Sequence, residues 1–134
     1  MKRNIEITSE ADVSVAASLA AEMGEGAGLG RTKNYMLSTA VSELAMNIFL
    51  HAVKGEVILE EITKPDRKGI KVTARDIGPG IEDLSLAMSD NYSTGGGLGV
   101  GLSGSKRLMD EFSIDSEAGR GTEVVAVKWG DDLG

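Results

Sequence analysis

Polar and apolar side chains alternate from Arg3 to Ile7, and that period of two predicts a first strand. Ser9 follows, with Asp12 three residues on, the spacing of a capping box, so a helix is expected from there to about Met23. Gly24, Gly26, Gly28 and Gly30 then alternate with other residues and read as a loop, because closely spaced glycines disfavour helix and strand alike. Beyond the loop, apolar residues return every turn at Met36/Leu37, Ala40/Val41, Leu44/Ala45, Ile48/Phe49 and Ala52/Val53. This is the clearest helical pattern in the chain.

Residues 56–62 and 70–75 read as two strands joined by the polar turn Lys64-Pro65-Asp66-Arg67-Lys68-Gly69, hence a hairpin. Asp76-Ile77-Gly78-Pro79-Gly80 breaks the second strand sharply, and residues 81–88 are expected to form a short helix. A helical pattern resumes over 102–112, and two closing strands, 114–116 and 124–129, flank the turn Gly119-Arg120-Gly121. The expected fold is therefore α/β: a mixed, mostly antiparallel sheet with helices on one face.

A chain of 134 residues supports one core, so a single domain over 1–134 is expected, with only residues 130–134 loose. Composition is that of a globular protein, 41% hydrophobic and 26% charged. With 14 basic and 21 acidic residues the formal net charge is -7, which argues against broad attraction to nucleic acid or an anionic membrane. An anionic ligand must then be held by local geometry. The absence of cysteine removes disulfides, thiolate metal sites and cysteine nucleophiles together. The amino-terminal residues lack the apolar segment of a secretory signal and no apolar run reaches membrane-spanning length, so a cytoplasmic location is expected.

The composition is unusual in its 18 glycines, which crowd most densely at Gly95, Gly96, Gly97, Gly99, Gly101 and Gly104. Ordered glycine is entropically costly, so such a run implies a lid or a backbone that approaches a ligand closely. Gly95-Gly96-Gly97-Leu98-Gly99-Val100-Gly101-Leu102 leads into a helix, where free N–H groups and the helix dipole can converge on phosphates. It is neither a Walker A loop nor a dinucleotide-binding turn, since no Gly-Lys-Ser/Thr closes it and no early strand feeds it. Glu43 and Asn47 lie four apart on the long helix and project from one side, in line with Thr39 and His51. A carboxylate there can serve as a general base and an amide oxygen as a Mg2+ ligand, although a polar helix edge has the same appearance. Asp76 ends a strand ahead of two glycines, and a carboxylate suits an exocyclic amine such as that of adenine, although Asp-x-Gly-Pro-Gly is also ordinary turn chemistry. His51, Lys106 and Arg107 receive no role.

In this order, Glu43-x-x-x-Asn47, Asp76-x-Gly78-x-Gly80, Gly97-x-Gly99-x-Gly101 and Gly119-x-Gly121-Thr122 resemble the four boxes of the GHKL ATPase and kinase superfamily. Within it the chain looks most similar to the RsbT-type switch serine/threonine kinases of bacterial stressosomes, including at 77–83 and 106–112. The resemblance implies a Bergerat-type α/β sandwich that holds Mg-ATP between the long helix, the sheet and a lid over residues 88–96. It further implies Glu43 as general base and Asn47 as Mg2+ ligand. Asp76 would read adenine, Gly78 and Gly80 would form its close-approach turn, residues 95–102 would bind phosphates, and Thr122 would close the adenine pocket. The implied partners are STAS-domain scaffold proteins as phosphorylation substrates and a PP2C-type phosphatase as activation target. An anti-sigma factor of the same fold is the alternative, although Tyr92-Ser93-Thr94-Gly95 lacks the basic residue that sporulation-type members commonly carry before the lid glycines. A histidine kinase or gyrase-like ATPase fits the chain length less well.

Overall fold

The computed structural model describes residues 1–52, 54–77, 98–117 and 119–131. The expected helix at 81–88, the lid at 88–96, and Gly78, Gly80, Gly95, Gly96 and Gly97 lie outside the described residues.

The chain forms β1 (Lys2–Ile7), α1 (Glu10–Gly26), α2 (Arg31–His51), β2 (Gly55–Lys64) and β3 (Arg67–Asp76), then α3 (Leu98–Leu108), β4 (Glu111–Glu117) and β5 (Gly121–Trp129). The strands make one sheet in the order β1-β2-β3-β5-β4. The sheet is α/β in its setting as expected, but every pairing among the described residues is antiparallel, so the mixed character does not materialise there. The reason is topological: β4 is placed outside β5 as its hairpin mate, so β5 meets β3 in the antiparallel sense.

Period-two alternation gives the sheet one apolar face. Ile5, Ile7, Val57, Leu59, Ile70, Val72, Ala74, Val124 and Ala126 all lie in the core with the buried faces of the helices. From α1 come Val13, Ala16, Ala20 and Met23, and from α2 Leu37, Ala40, Val41, Leu44, Ala45 and Ile48. Leu102 and Met109 bring in α3 and the bend after it. The opposite face is polar, with Ile58, Val127 and Trp129 sheltered on it by longer side chains; Lys64 lies 4.2 Å over the Trp129 ring.

At the head of α1, the Asp12 carboxylate accepts hydrogen bonds from Thr8 N–H (2.9 Å), Thr8 Oγ1 (3.1 Å) and Ser9 N–H (3.0 Å), fulfilling the capping-box expectation. The helix runs past Met23 to Gly26, however, and Gly24 is helical rather than part of the loop. A Cβ on Gly24 would sit 2.0 Å from Asn34 Oδ1 and 3.1 Å from Leu37 Cδ2, so this glycine lets α1 and α2 cross closely. Asn34 Nδ2 donates to the Ala21 carbonyl across the same crossing. The remaining loop turns at Gly28, whose φ is 84°.

Helix α3 starts at Leu98, not Leu102, and stops at Leu108. Phe112, expected at its end, lies instead on β4. Asp110 enforces the stop. Its carboxylate accepts from Trp129 N–H (2.7 Å) and from Lys128 Nζ (3.4 Å), and its own N–H donates to the Val127 carbonyl. The nearly buried Lys128 also donates to the Leu108 carbonyl at 2.8 Å, capping the end of α3 from the sheet.

Candidate functional site

The helix-facing side of the sheet loses its apolar character in one row. Ile7, Gly55, Asp76, Thr122 and Ser116 are successive cross-strand partners on β1, β2, β3, β5 and β4. The next row inward, Val57, Ala74, Val124 and Ile114, is hydrophobic. Asp76 therefore stands where a dry sheet opens to polar chemistry, with Thr122 directly opposite. Ser116 Oγ lies 2.8 Å from Thr122 Oγ1 and donates to the Gly121 carbonyl at 3.1 Å. The hydroxyl of Thr122 is thereby oriented by a side chain that the sequence did not single out.

Two glycines permit this arrangement. Gly121 has φ 101°, and a Cβ there would lie 2.2 Å from the Asp76 carbonyl oxygen, so no other residue fits against the Asp76 backbone. Gly55 is the second: its Cβ would meet the Arg75 carbonyl at 2.6 Å, Ile48 Cγ2 at 2.7 Å and Asp76 Cβ at 2.9 Å. The last turns of α2 are thus wedged against the end of β3 that carries Asp76. A lone glycine between a helix and a strand was the only available sequence signal for it.

Asn47 precedes Ile48 and is half-buried, with its Nδ2 covered and lacking a hydrogen-bond partner among the described residues. Glu43, one turn earlier, is exposed. Helix α3 packs along α2, and Gly99 and Gly101 lie in its first turns rather than in a preceding loop. Leu98, Val100 and Leu102 belong to the same helix, with Leu102 buried in the core. Lys106 and Arg107 are exposed in its last turn, and His51 is half-buried at the end of α2.

On the opposite side of the sheet, Arg75 holds the neighbouring strands in register. It bonds Glu56 Oε1 at 2.9 Å and approaches Glu123 Oε2 at 3.8 Å. The pair is half-exposed and screened, so it adds little stability, but it fixes the strand end beside Asp76. No cluster of His, Cys, Asp or Glu able to hold a metal unaided occurs among the described residues. This donor set fits a Mg2+ ion shared with phosphates, for which one amide oxygen and water suffice. No helix among the described residues is long and apolar enough to cross a membrane.

With Asp76, Thr122 and Ser116 at one end of the sheet, α2 wedged onto that end and α3 beside α2, the molecule is an α/β sandwich of sheet and helices. The chain belongs to the histidine kinase-like ATPase domain family, whose model matches residues 7–128. It is 46% identical over 125 residues to the serine/threonine-protein kinase RsbT of Bacillus subtilis, covering 93% of this chain and 94% of that one. At that similarity across nearly all of both chains, the protein is a serine/threonine protein kinase of the family. The anti-sigma F factor of Thermoanaerobacter sp. is 33% identical over 98 residues, covering 69% of this chain and 68% of that one. The mycobacterial sensor histidine kinase MprB has the same fold, with a TM-score of 0.58 at 16% identity over 98% of this chain and 99% of that one.

Proposed function

We propose that the chain transfers the γ-phosphoryl group of Mg-ATP to a serine or threonine of a STAS-domain scaffold protein in a partner-switching stress pathway. Once released from the scaffold, it activates a PP2C-type phosphatase by binding it. The observation that carries the nucleotide reading is the pairing of Asp76 with Thr122 at the polar end of the sheet. The carboxylate accepts from the exocyclic amine of adenine, and the Thr122 hydroxyl, oriented by Ser116, closes the same pocket. Gly78 and Gly80, outside the described residues, are assigned beside the base by the resemblance of their box alone.

Residues 98–102, the start of α3, present N–H donors and the positive end of the helix dipole to the phosphates, and Gly95, Gly96 and Gly97, outside the described residues, are assigned to the same role by the resemblance alone. Asn47 supplies an amide oxygen for Mg2+, and its covered, unpartnered Nδ2 agrees with a side chain whose surroundings a ligand completes. Glu43 is exposed one turn away, where an acceptor hydroxyl from another protein can reach it, and serves as the general base. Phosphoryl transfer depends chiefly on positioning and charge neutralisation; these residues would supply the first, and Mg2+ with the N–H groups at the start of α3 the second.

The test is transfer of label from ATP to a STAS-domain protein, with Asp76→Asn as the silent control. Labelling of the STAS protein by the parent chain alone is expected; no labelling refutes the kinase–scaffold pairing. The anti-sigma reading draws on the likeness to anti-sigma F factors. Affinity capture decides between the two: recovery of a sigma subunit, in place of STAS or phosphatase proteins, overturns the first.

A further inference from the structure

Glu6, Glu56, Arg75, Glu123 and Asp115 lie in register across the whole sheet, on the face away from the helices. They stand one residue behind the row that carries Asp76 and Thr122: Glu56 follows Gly55, Arg75 precedes Asp76, and Glu123 follows Thr122. The row is acidic but for Arg75. Arg75 Nε and Nη2 both lie 2.9 Å from Glu56 Oε1, and Nη1 approaches Glu123 Oε2 at 3.8 Å, so one side chain joins β2 and β5 across β3.

This cross-link falls where the backbone ladder runs out. The next bond outward between β2 and β3, from Ile77 N–H to the Lys54 carbonyl, is long at 3.3 Å. Strand β5 begins at Gly121, one residue beyond the Asp76–Thr122 pair. Strand ends are the part of a sheet that opens most readily. Arg75 and Asp76 also border two cavities, one lined by Glu6, Lys54 and Ile77 and the other by Asp115, Arg120 and Glu123. Packed apolar side chains do not back Asp76 on this face. Its position depends on close backbone contacts and on the cross-link beside it.

We infer that Arg75 is a positioning residue for nucleotide binding: anchored to Glu56 and Glu123, it sets the spacing of Gly55, Asp76 and Thr122, and with it the affinity and base preference of the pocket. This role rests on Asp76 being the acceptor of the adenine amine. A carboxylate suits that amine and opposes the carbonyl that guanine carries in its place, so discrimination weakens as Asp76 shifts. Neutralising Arg75 removes more than two attractions. Glu6 stands directly opposite Glu56, and Asp115 opposite Glu123. Like charges facing each other across strands repel, and without the cation nothing in the row offsets them.

Calorimetric titrations of the full chain with ATP and with GTP, beside urea unfolding, test the inference. Arg75→Gln should weaken ATP binding about two- to tenfold, narrow the preference for ATP over GTP and leave the unfolding midpoint nearly unchanged, because exposed ion pairs add little global stability. Glu56→Gln should reproduce more of the defect than Glu123→Gln, as their distances of 2.9 Å and 3.8 Å require. Arg75→Lys keeps the charge but loses the two-sided reach, and should recover affinity in part. Added salt screens the acidic row and should shrink the gap between Arg75→Gln and the parent. An Arg75→Gln chain with the parent's ATP affinity and base preference overturns the inference. So does an equal loss for both nucleotides with a lowered unfolding midpoint, which marks a stability effect alone. Asp76→Asn, titrated alongside, keeps the two readings apart. If it binds ATP like the parent, the adenine assignment fails and takes the role of Arg75 with it; if it loses ATP while Arg75→Gln does not, only the role of Arg75 fails.

Discussion

Asp76 and Thr122 are direct cross-strand partners, and Gly121, at φ 101°, is the residue that lets the strand bearing Thr122 close on the Asp76 backbone. Gly121→Ala therefore meets two penalties, a strained backbone and a methyl group 2.2 Å from the Asp76 carbonyl. Together these are worth about 2–5 kcal/mol of unfolding free energy. Urea titration should show the loss, and nucleotide affinity should fall with it because Asp76 is displaced. An alanine variant as stable as the parent would contradict the close approach.

Thr122→Val keeps the β-branched shape and deletes the hydroxyl that Ser116 orients at 2.8 Å. One neutral hydrogen bond is worth about 0.5–1.5 kcal/mol, so ATP affinity should drop roughly 2- to 13-fold. Calorimetric titration with nucleotide checks this, and the unfolding midpoint should barely move. Ser116→Ala, which frees the Thr122 hydroxyl to rotate, should produce a smaller loss of the same kind.

Asp110 links α3 to β5, accepting from Trp129 N–H and Lys128 Nζ while Lys128 also caps the Leu108 carbonyl. Asp110→Ala strands the Trp129 N–H and leaves Lys128 Nζ with the Leu108 carbonyl alone, at about 1–3 kcal/mol for a group left unpaired. A destabilisation of about 1–3 kcal/mol in urea titration is expected. Since α3 also carries the glycines proposed to hold the phosphates, the KM for ATP should rise more than kcat falls.

Hydrogen bonds from Thr8 N–H, then the Thr8 hydroxyl, and from Ser9 hold the Asp12 carboxyl below the usual carboxylate range. A folded-state value depressed in this way contributes stability that is complete above the unfolded value of about 3.9 and is lost as pH falls through the folded value. Thermal melts of the parent and Asp12→Ala should differ at pH 6 and converge toward pH 2.5. A gap that persists undiminished in acid would show that the carboxylate charge plays no part in the cap.

The strands and the long helix were legible because their patterns are local: alternation gave β1, β2, β3 and β5, and a turn-by-turn repeat gave α2. What escaped depended on residues distant in sequence. Gly24 looks like a loop residue until Asn34 is seen where its Cβ would be. The end of α3 at Leu108 follows from Lys128 and Trp129 on another strand, and nothing near Asp110 announces it. The adjacency of Asp76 and Thr122 requires β5 to pair with β3 while β4 takes the edge, a sheet order that no local pattern encodes. Glu43, Asn47 and Asp76 could be read as a set only through the order of the four boxes, since each alone resembles a helix edge or a turn.

Glu43 and Asn47 share one side of α2, yet Glu43 is exposed whereas the Asn47 amide nitrogen is covered, and their substitutions should separate accordingly. If Glu43 takes the proton of the acceptor hydroxyl, Glu43→Ala lowers transfer by about 10²- to 10⁴-fold while ATP affinity stays within about twofold of the parent. Asn47→Ala should instead weaken nucleotide binding in the presence of Mg2+ and leave metal-free binding nearly unchanged. Single-turnover transfer and nucleotide titrations with and without Mg2+ distinguish the two. A Glu43 variant that no longer binds ATP would move that residue from proton transfer to nucleotide binding, and a metal-independent defect at Asn47 would remove it from the magnesium site.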